Sequence, residues 1–146
     1  GAVFALLATG FIGSSQLNHF LTKRYRNEKI LTGAVIIQLI ASVLFIVGAW
    51  QQWYGIIAVI FFLFVILSCA GIVYPNAAAL CMAPFAKNAG SASALLGFSQ
   101  IGVGGLVSAC AGILPFNPVL SMAVITFSTV VIAVVILYAG KRKGVH

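Results

Sequence analysis

The sequence predicts an all-α membrane protein with five transmembrane helices, and three observations lead there. The first is composition. Of 146 residues, 62% are hydrophobic and only 6% are charged, against about a quarter in a typical soluble domain. A surface that poor in charge does not stay dissolved. A soluble enzyme, a nucleic-acid-binding domain and a disordered segment are excluded. The second is the spacing of the polar interruptions. They leave five apolar runs of roughly 20 residues, the length that crosses about 30 Å of hydrocarbon. The third is the placement of charge. Eight Lys and Arg stand against one acidic residue, Glu28, for a net charge of +7, and every cation flanks an apolar run.

The first span covers about residues 2–21 and stops at the basic string Lys23-Arg24-Tyr25-Arg26-Asn27-Glu28-Lys29. The second covers about 30–50 and meets Gln51-Gln52-Trp53-Tyr54, which is uncharged but carries the aromatics that favour the interface. The third covers about 55–80. Its apolar character persists almost to Met82, too far for one straight crossing at 1.5 Å per residue, and Pro75 and Pro84 are expected to divide it. The fourth covers about 91–114. The turn Pro115-Phe116-Asn117-Pro118 separates it from the fifth, about 119–140, and the tail is Lys141-Arg142-Lys143-Gly144-Val145-His146. These runs read as helices. Barrel strands would alternate with a polar inner face over about 10 residues, and residues 56–67 do not alternate.

Orientation follows from the cations. Lys23, Arg24, Arg26 and Lys29 lie in the first link, Lys87 in the third, and Lys141, Arg142 and Lys143 in the tail. The N-terminus and the links at 50–54 and 115–118 hold none. By the positive-inside rule the first link, the third link and the tail are cytoplasmic, and the N-terminal end lies outside. The same pattern makes the lipid bilayer, not nucleic acid, the partner of these charges. An odd number of spans that begins outside on a bare apolar segment predicts the back end of a longer chain.

Individual spans differ in character. On the fourth, Ser93, Gly97, Gln100, Gly104, Ser108 and Ala111 recur at steps of three or four and share one helical face. Such a face lets helix backbones approach closely. Alternatively it lines a polar path with Gln100 as its main hydrogen-bonding group, since a mid-membrane amide needs a partner. The first span places Gly10, Ser14 and Asn18 at steps of four, with Gln16 and His19 nearby. The second has one strong polar group, Gln38, and the fifth has only hydroxyls that can bond their own helix, so both are expected to be peripheral and to face lipid. The third is aromatic at Phe61, Phe62 and Phe64. A helix break is expected around Gly71, Pro75 and Asn76, because Pro75 removes the bond to the Gly71 carbonyl. The residues proposed to line a polar path or cavity among the spans are Gln100, Gly97, Gly104, Phe61, Phe64, Ser68 and Asn18.

Enzyme chemistry has little footing. Glu28 is the only carboxylate side chain, so no carboxylate pair or Ser/His/Asp set exists. Cys69, Cys81 and Cys110 form no CxxC pair and have no neighbouring His, against a metal or redox site. Gly102-Val103-Gly104-Gly105 is no phosphate loop, because no Lys-Ser/Thr follows. No cofactor is expected.

Several strings are more specific. Gly71-Ile72-Val73-Tyr74-Pro75-Asn76-Ala77-Ala78-Ala79-Leu80 precedes Ala83-Pro84-Phe85. Asn88-Ala89-Gly90-Ser91-Ala92-Ser93-Ala94-Leu95-Leu96-Gly97 comes next, and Ser15-Gln16-Leu17-Asn18 closes the first span. Together these resemble the Bcr/CflA drug-resistance transporters of the major facilitator superfamily, in order and over essentially the whole chain. The resemblance implies that the five spans are the eighth to twelfth helices of a twelve-helix fold, forming most of its C-terminal six-helix bundle. It also implies proton-driven export of small hydrophobic, drug-like compounds across a bacterial inner membrane, with substrate and protons exchanged as two bundles rock about a mid-membrane site. The N-terminal helices would then lie outside this sequence. No carboxylate occurs within the spans, so they would also hold the proton-carrying group. Two other readings remain at this point: a major facilitator exporter of a polar metabolite, and a free-standing five-span scaffold or subunit.

Overall fold

A computed structural model describes residues 1–52, 55–113, 115 and 117–142. Among them the chain is almost entirely helical: α1 (Ala2–Thr22), α2 (Asn27–Trp50), α3 (Ile56–Met82), α4 (Ala89–Ile113) and α5 (Pro118–Arg142), with a 3-10 helix, Ala83–Asn88, joining α3 to α4. Three stretches are long and apolar enough to cross a bilayer: Asn27–Trp50, Ile56–Ile113 and Pro118–Gly140. The protein is an all-α membrane protein by this measure. α1 has the length, but Ser14, Ser15, Gln16, Asn18 and His19 dilute its apolarity and it is not one of the three.

The middle stretch counts 58 residues and would extend about 87 Å if straight, far beyond any bilayer core. It is broken at Phe85, whose backbone (φ −104°, ψ 23°) is non-helical. Pro84, just before it, cannot continue the i→i−4 ladder. Beyond the break the chain doubles back. The Ser93 hydroxyl lies 3.7 Å from the Met82 sulfur, and the Tyr74 hydroxyl reaches the Gln100 amide oxygen at 3.4 Å. Contacts of increasing sequence separation around one point define a hairpin with its elbow at 83–88.

The break expected at Gly71, Pro75 and Asn76 is absent, and α3 is helical through all three residues. Membrane helices tolerate proline where side chains and neighbouring helices serve the disturbed backbone. Here the Asn76 amide nitrogen donates to the Ile72 carbonyl at 2.7 Å, and α1 covers the Gly71 face.

α1 and α3 run parallel. Gly10 lies against Phe64 and Ser68, Gly71 against Phe11 and Ser14, and Asn18 against Asn76, so numbering rises together along both helices. The ends of α1 and α3, the 23–26 turn and the 83–88 elbow therefore share one end of the molecule. α2 returns from that end and is not peripheral as expected. Ile30, Leu31, Ala34, Val35, Ala41, Ser42, Phe45, Gly48 and Ala49 are all buried on it, because its Ala, Ser and Gly positions let α3 and α5 come close. The core joins Ala41, Phe45 and Ala49 to Ile66 of α3 and Ala123 of α5, and Phe62 stacks on Phe45 with ring centroids 6.0 Å apart. At its start, α2 carries Glu28 in the first turn, where a negative charge suits the helix dipole. At its finish, Gln52 takes a left-handed backbone (φ 54°), the conformation that commonly closes a helix. α4 is the opposite case: none of its residues is buried.

Candidate functional site

The structure does not bring the residues proposed for a cavity together: Phe64, Ser68 and Asn18 lie at one place and Gln100 at another. The first is the seam between α1 and α3. Gly10, Ser14 and Asn18, one turn apart on α1, face Phe64, Ser68, Gly71 and Asn76 on α3. A Cβ built on Gly10 would stand 2.6 Å from the Phe64 ring and 2.8 Å from the Ser68 hydroxyl. One on Gly71 would collide with the Phe11 carbonyl and the Ser14 hydroxyl. The Ser14 hydroxyl donates to the Phe11 carbonyl at 3.0 Å, so it is held by its own helix.

At the base of the seam the Asn76 amide nitrogen donates to the Asn18 side-chain oxygen at 2.6 Å and to the Ile72 carbonyl at 2.7 Å. Both of its protons are thereby used, which fixes the amide orientation: turning it over would put oxygen against two acceptors. The Asn76 side-chain oxygen is then a buried acceptor without a donor. Asn18 is 6% exposed and Asn76 1%. Asn18, Ser68, Gly71 and Asn76 thus join two helices here.

The second place is a cleft of about 320 Å³ where α2, α3 and α4 meet. Its walls are small and apolar, among them Ala70, Val73, Ala77 and Leu96, and three polar side chains converge on it: Gln38, Tyr74 and Gln100. The Tyr74 hydroxyl points its proton at the Gln100 amide oxygen across a long 3.4 Å bond. A few convergent polar groups on an apolar concavity of this size are the usual make-up of a small-molecule site. No carboxylate can contribute, since Glu28 is the chain's only one and stands 3.9 Å from Arg26 in the α1–α2 turn. The cleft offers hydrogen bonds and contact area without charge.

Gly97 and Gly104 flank Gln100 on α4, and a Cβ on either would meet nothing within 4 Å. Those two glycines are not pressed against a helix of this chain, while Ser93 and Gln100 on the same face reach Met82 and Tyr74 of α3. Gly104 borders a separate cleft of about 590 Å³ with Ser108, Ser121 and Thr126. Phe61 is exposed and meets Phe62 edge-on at 5.8 Å. Sequence reasoning missed Tyr74 and set Gln38 aside. A signal was present for each. Gln38 is the one strong polar side chain of its span, and Tyr74 lies in the string that carries the resemblance.

No protein-family model matches the chain, and neither a curated protein nor a solved structure shows significant similarity to it.

Proposed function

We propose that this chain is the substrate-handling part of a proton-coupled efflux antiporter. It would export small hydrophobic compounds across a bacterial inner membrane by alternating access, with its five helices as most of one bundle of a major facilitator fold. The single observation that carries the reading is the cleft at Gln38, Tyr74 and Gln100. It is an apolar concavity at mid-helix depth whose polar groups are neutral, which suits an uncharged or lipophilic cargo. The resemblance of the strings at 71–80 and 88–97 supports it, as does the alternating direction of α1, α2 and α3. In this reading the chain works beside further N-terminal helices that carry the proton. α4, none of whose residues is buried, is where a neighbouring bundle would approach, as its small residues allow.

Gln100→Leu tests it. Leucine enters a membrane helix more readily than glutamine, so expression holds. An amide that only joins two helices contributes about 0.6 kcal/mol, too little to abolish function through stability. The expected result, at matched membrane expression of the intact protein, is an altered drug-resistance profile. An unchanged profile over several chemically distinct drugs removes the cleft from the transport path. The polar-metabolite reading instead predicts no drug phenotype for either protein.

A further inference from the structure

We infer that the α3–α4 elbow is a binding site for an anionic phospholipid, with one acyl chain in the elbow groove and the headgroup phosphate at Lys87. The groove is about 400 Å³ and lies between the end of α3 and the first turns of α4, lined by Met82, Phe85, Leu95 and Leu96, with Asn88 and Ser91 as polar groups among them. Phe85 and Leu95 are more than half exposed. Lys87 belongs to the same 3-10 helix, between the groove residues Phe85 and Asn88, and it is exposed.

Charge selects the headgroup. The parallel register of α1 and α3 brings Lys23, Arg24, Arg26 and Lys29 to the same end as Lys87, because the turn after Asn18 on α1 lies level with the turn after Asn76 on α3. The one carboxylate side chain, Glu28, is beside Arg26 at 3.9 Å, so Lys87 has no acid of its own in the elbow. An apolar groove bounded by a helix that carries an exposed cation, at the basic end of a membrane protein, complements a phosphate monoanion on a hydrocarbon chain. A cation near an anionic membrane surface contributes about 1 kcal/mol. A zwitterionic lipid offers the same chain but no net charge. The inference rests on the membrane character of the helices and is independent of what the cleft at Gln100 transports.

Cys81 lines the groove and also, with Leu96, the cleft at Gln100, whereas Cys110, near the other end of α4, borders neither; Cys81 is thus the reporter, Cys110 the control, and Leu95, which lines the groove alone, tells the two cavities apart. The intact protein is placed in nanodiscs of phosphatidylcholine with increasing phosphatidylglycerol of matched chains, and alkylation by a neutral maleimide is followed at both thiols. Phosphatidylglycerol is expected to slow reaction at Cys81 severalfold and leave Cys110 unchanged. Lys87→Gln should shift the protection to about fivefold higher phosphatidylglycerol, the equivalent of roughly 1 kcal/mol, while Lys87→Arg preserves it. Leu95→Trp, which fills the groove from an exposed position, should abolish the lipid dependence. Equal protection by phosphatidylcholine, or an unchanged dependence in Lys87→Gln, overturns the proposal. Protection that survives Leu95→Trp also overturns it, since the occupant would then lie elsewhere.

Discussion

Asn76 uses both of its amide protons, one on Asn18 and one on its own helix at Ile72, and leaves its oxygen without a donor. In hydrocarbon surroundings this makes the pair asymmetric. Removing one amide strands the other, which costs about 1–3 kcal/mol for a buried group, whereas replacing both by apolar side chains of similar shape comes close to neutral. Asn18→Leu is therefore expected to lower thermal stability in detergent more than the double variant Asn18→Leu/Asn76→Leu does. The coupling should lie between the membrane average of about 0.6 and the upper value of about 1.7 kcal/mol. Additive losses in the double-mutant cycle would show that the two amides act independently. The sequence made half of this legible. The i, i+4 spacing of Gly10, Ser14 and Asn18 announces a close-packed polar stripe, but its partner lies 58 residues away, and local periodicity carries no information on which helix will face it.

At the scale of elements, the α1–α3 contact depends on two glycines with different neighbours. At Gly10 an added methyl would press on the Phe64 ring and the Ser68 hydroxyl, side chains that can turn aside. At Gly71 it would meet the Phe11 carbonyl, which is backbone and cannot turn without moving α1. Gly71→Ala should therefore destabilise the protein by about 1–3 kcal/mol, as overpacking does, and Gly10→Ala by clearly less. Equal effects on the detergent melting temperature would refute the difference. Helix existence was legible because apolar runs of this length admit little else. Two misjudged features have a common cause. Of the two prolines expected to divide the stretch, Pro84 does, with the interruption at Phe85, and Pro75 does not. α2 was expected to face lipid and instead carries much of the core. In both cases the deciding factor is the neighbouring helix, through the cover α1 gives to Gly71 and the approach that Ala34, Ala41 and Ala49 allow. A single-chain pattern in which nearly every residue is apolar cannot separate the lipid face from the protein face. For the same reason Gln100 was legible as a polar group in mid-span, while its companions Gln38 and Tyr74 emerged only once three helices were placed together.

For the molecule as a whole, the hairpin at 83–88 converts the charge pattern into a testable orientation. The contacts of Asn18 with Asn76 and of Ser93 with Met82 put Lys23, Arg24, Arg26, Lys29 and Lys87 at one end, and the positive-inside rule predicts that this end faces the cytoplasm, which labelling can test. Two exposed cysteines mark the opposite ends of one helical pair: Cys81 is beside the elbow, and Cys110 is near the close of α4, while Cys69 is buried and silent. α4 runs about 1.5 Å per residue from Ala89 to Ile113, so Cys110 lies most of a bilayer away from the elbow. A membrane-impermeant maleimide added to sealed, right-side-out cells should label Cys110 and spare Cys81. In inverted vesicles the preference should reverse. Reaction of Cys81 from outside would invert the orientation. Labelling of both from one side would show that α3 and α4 do not form a membrane hairpin, and that the 58-residue apolar stretch lies along the bilayer instead of crossing it twice.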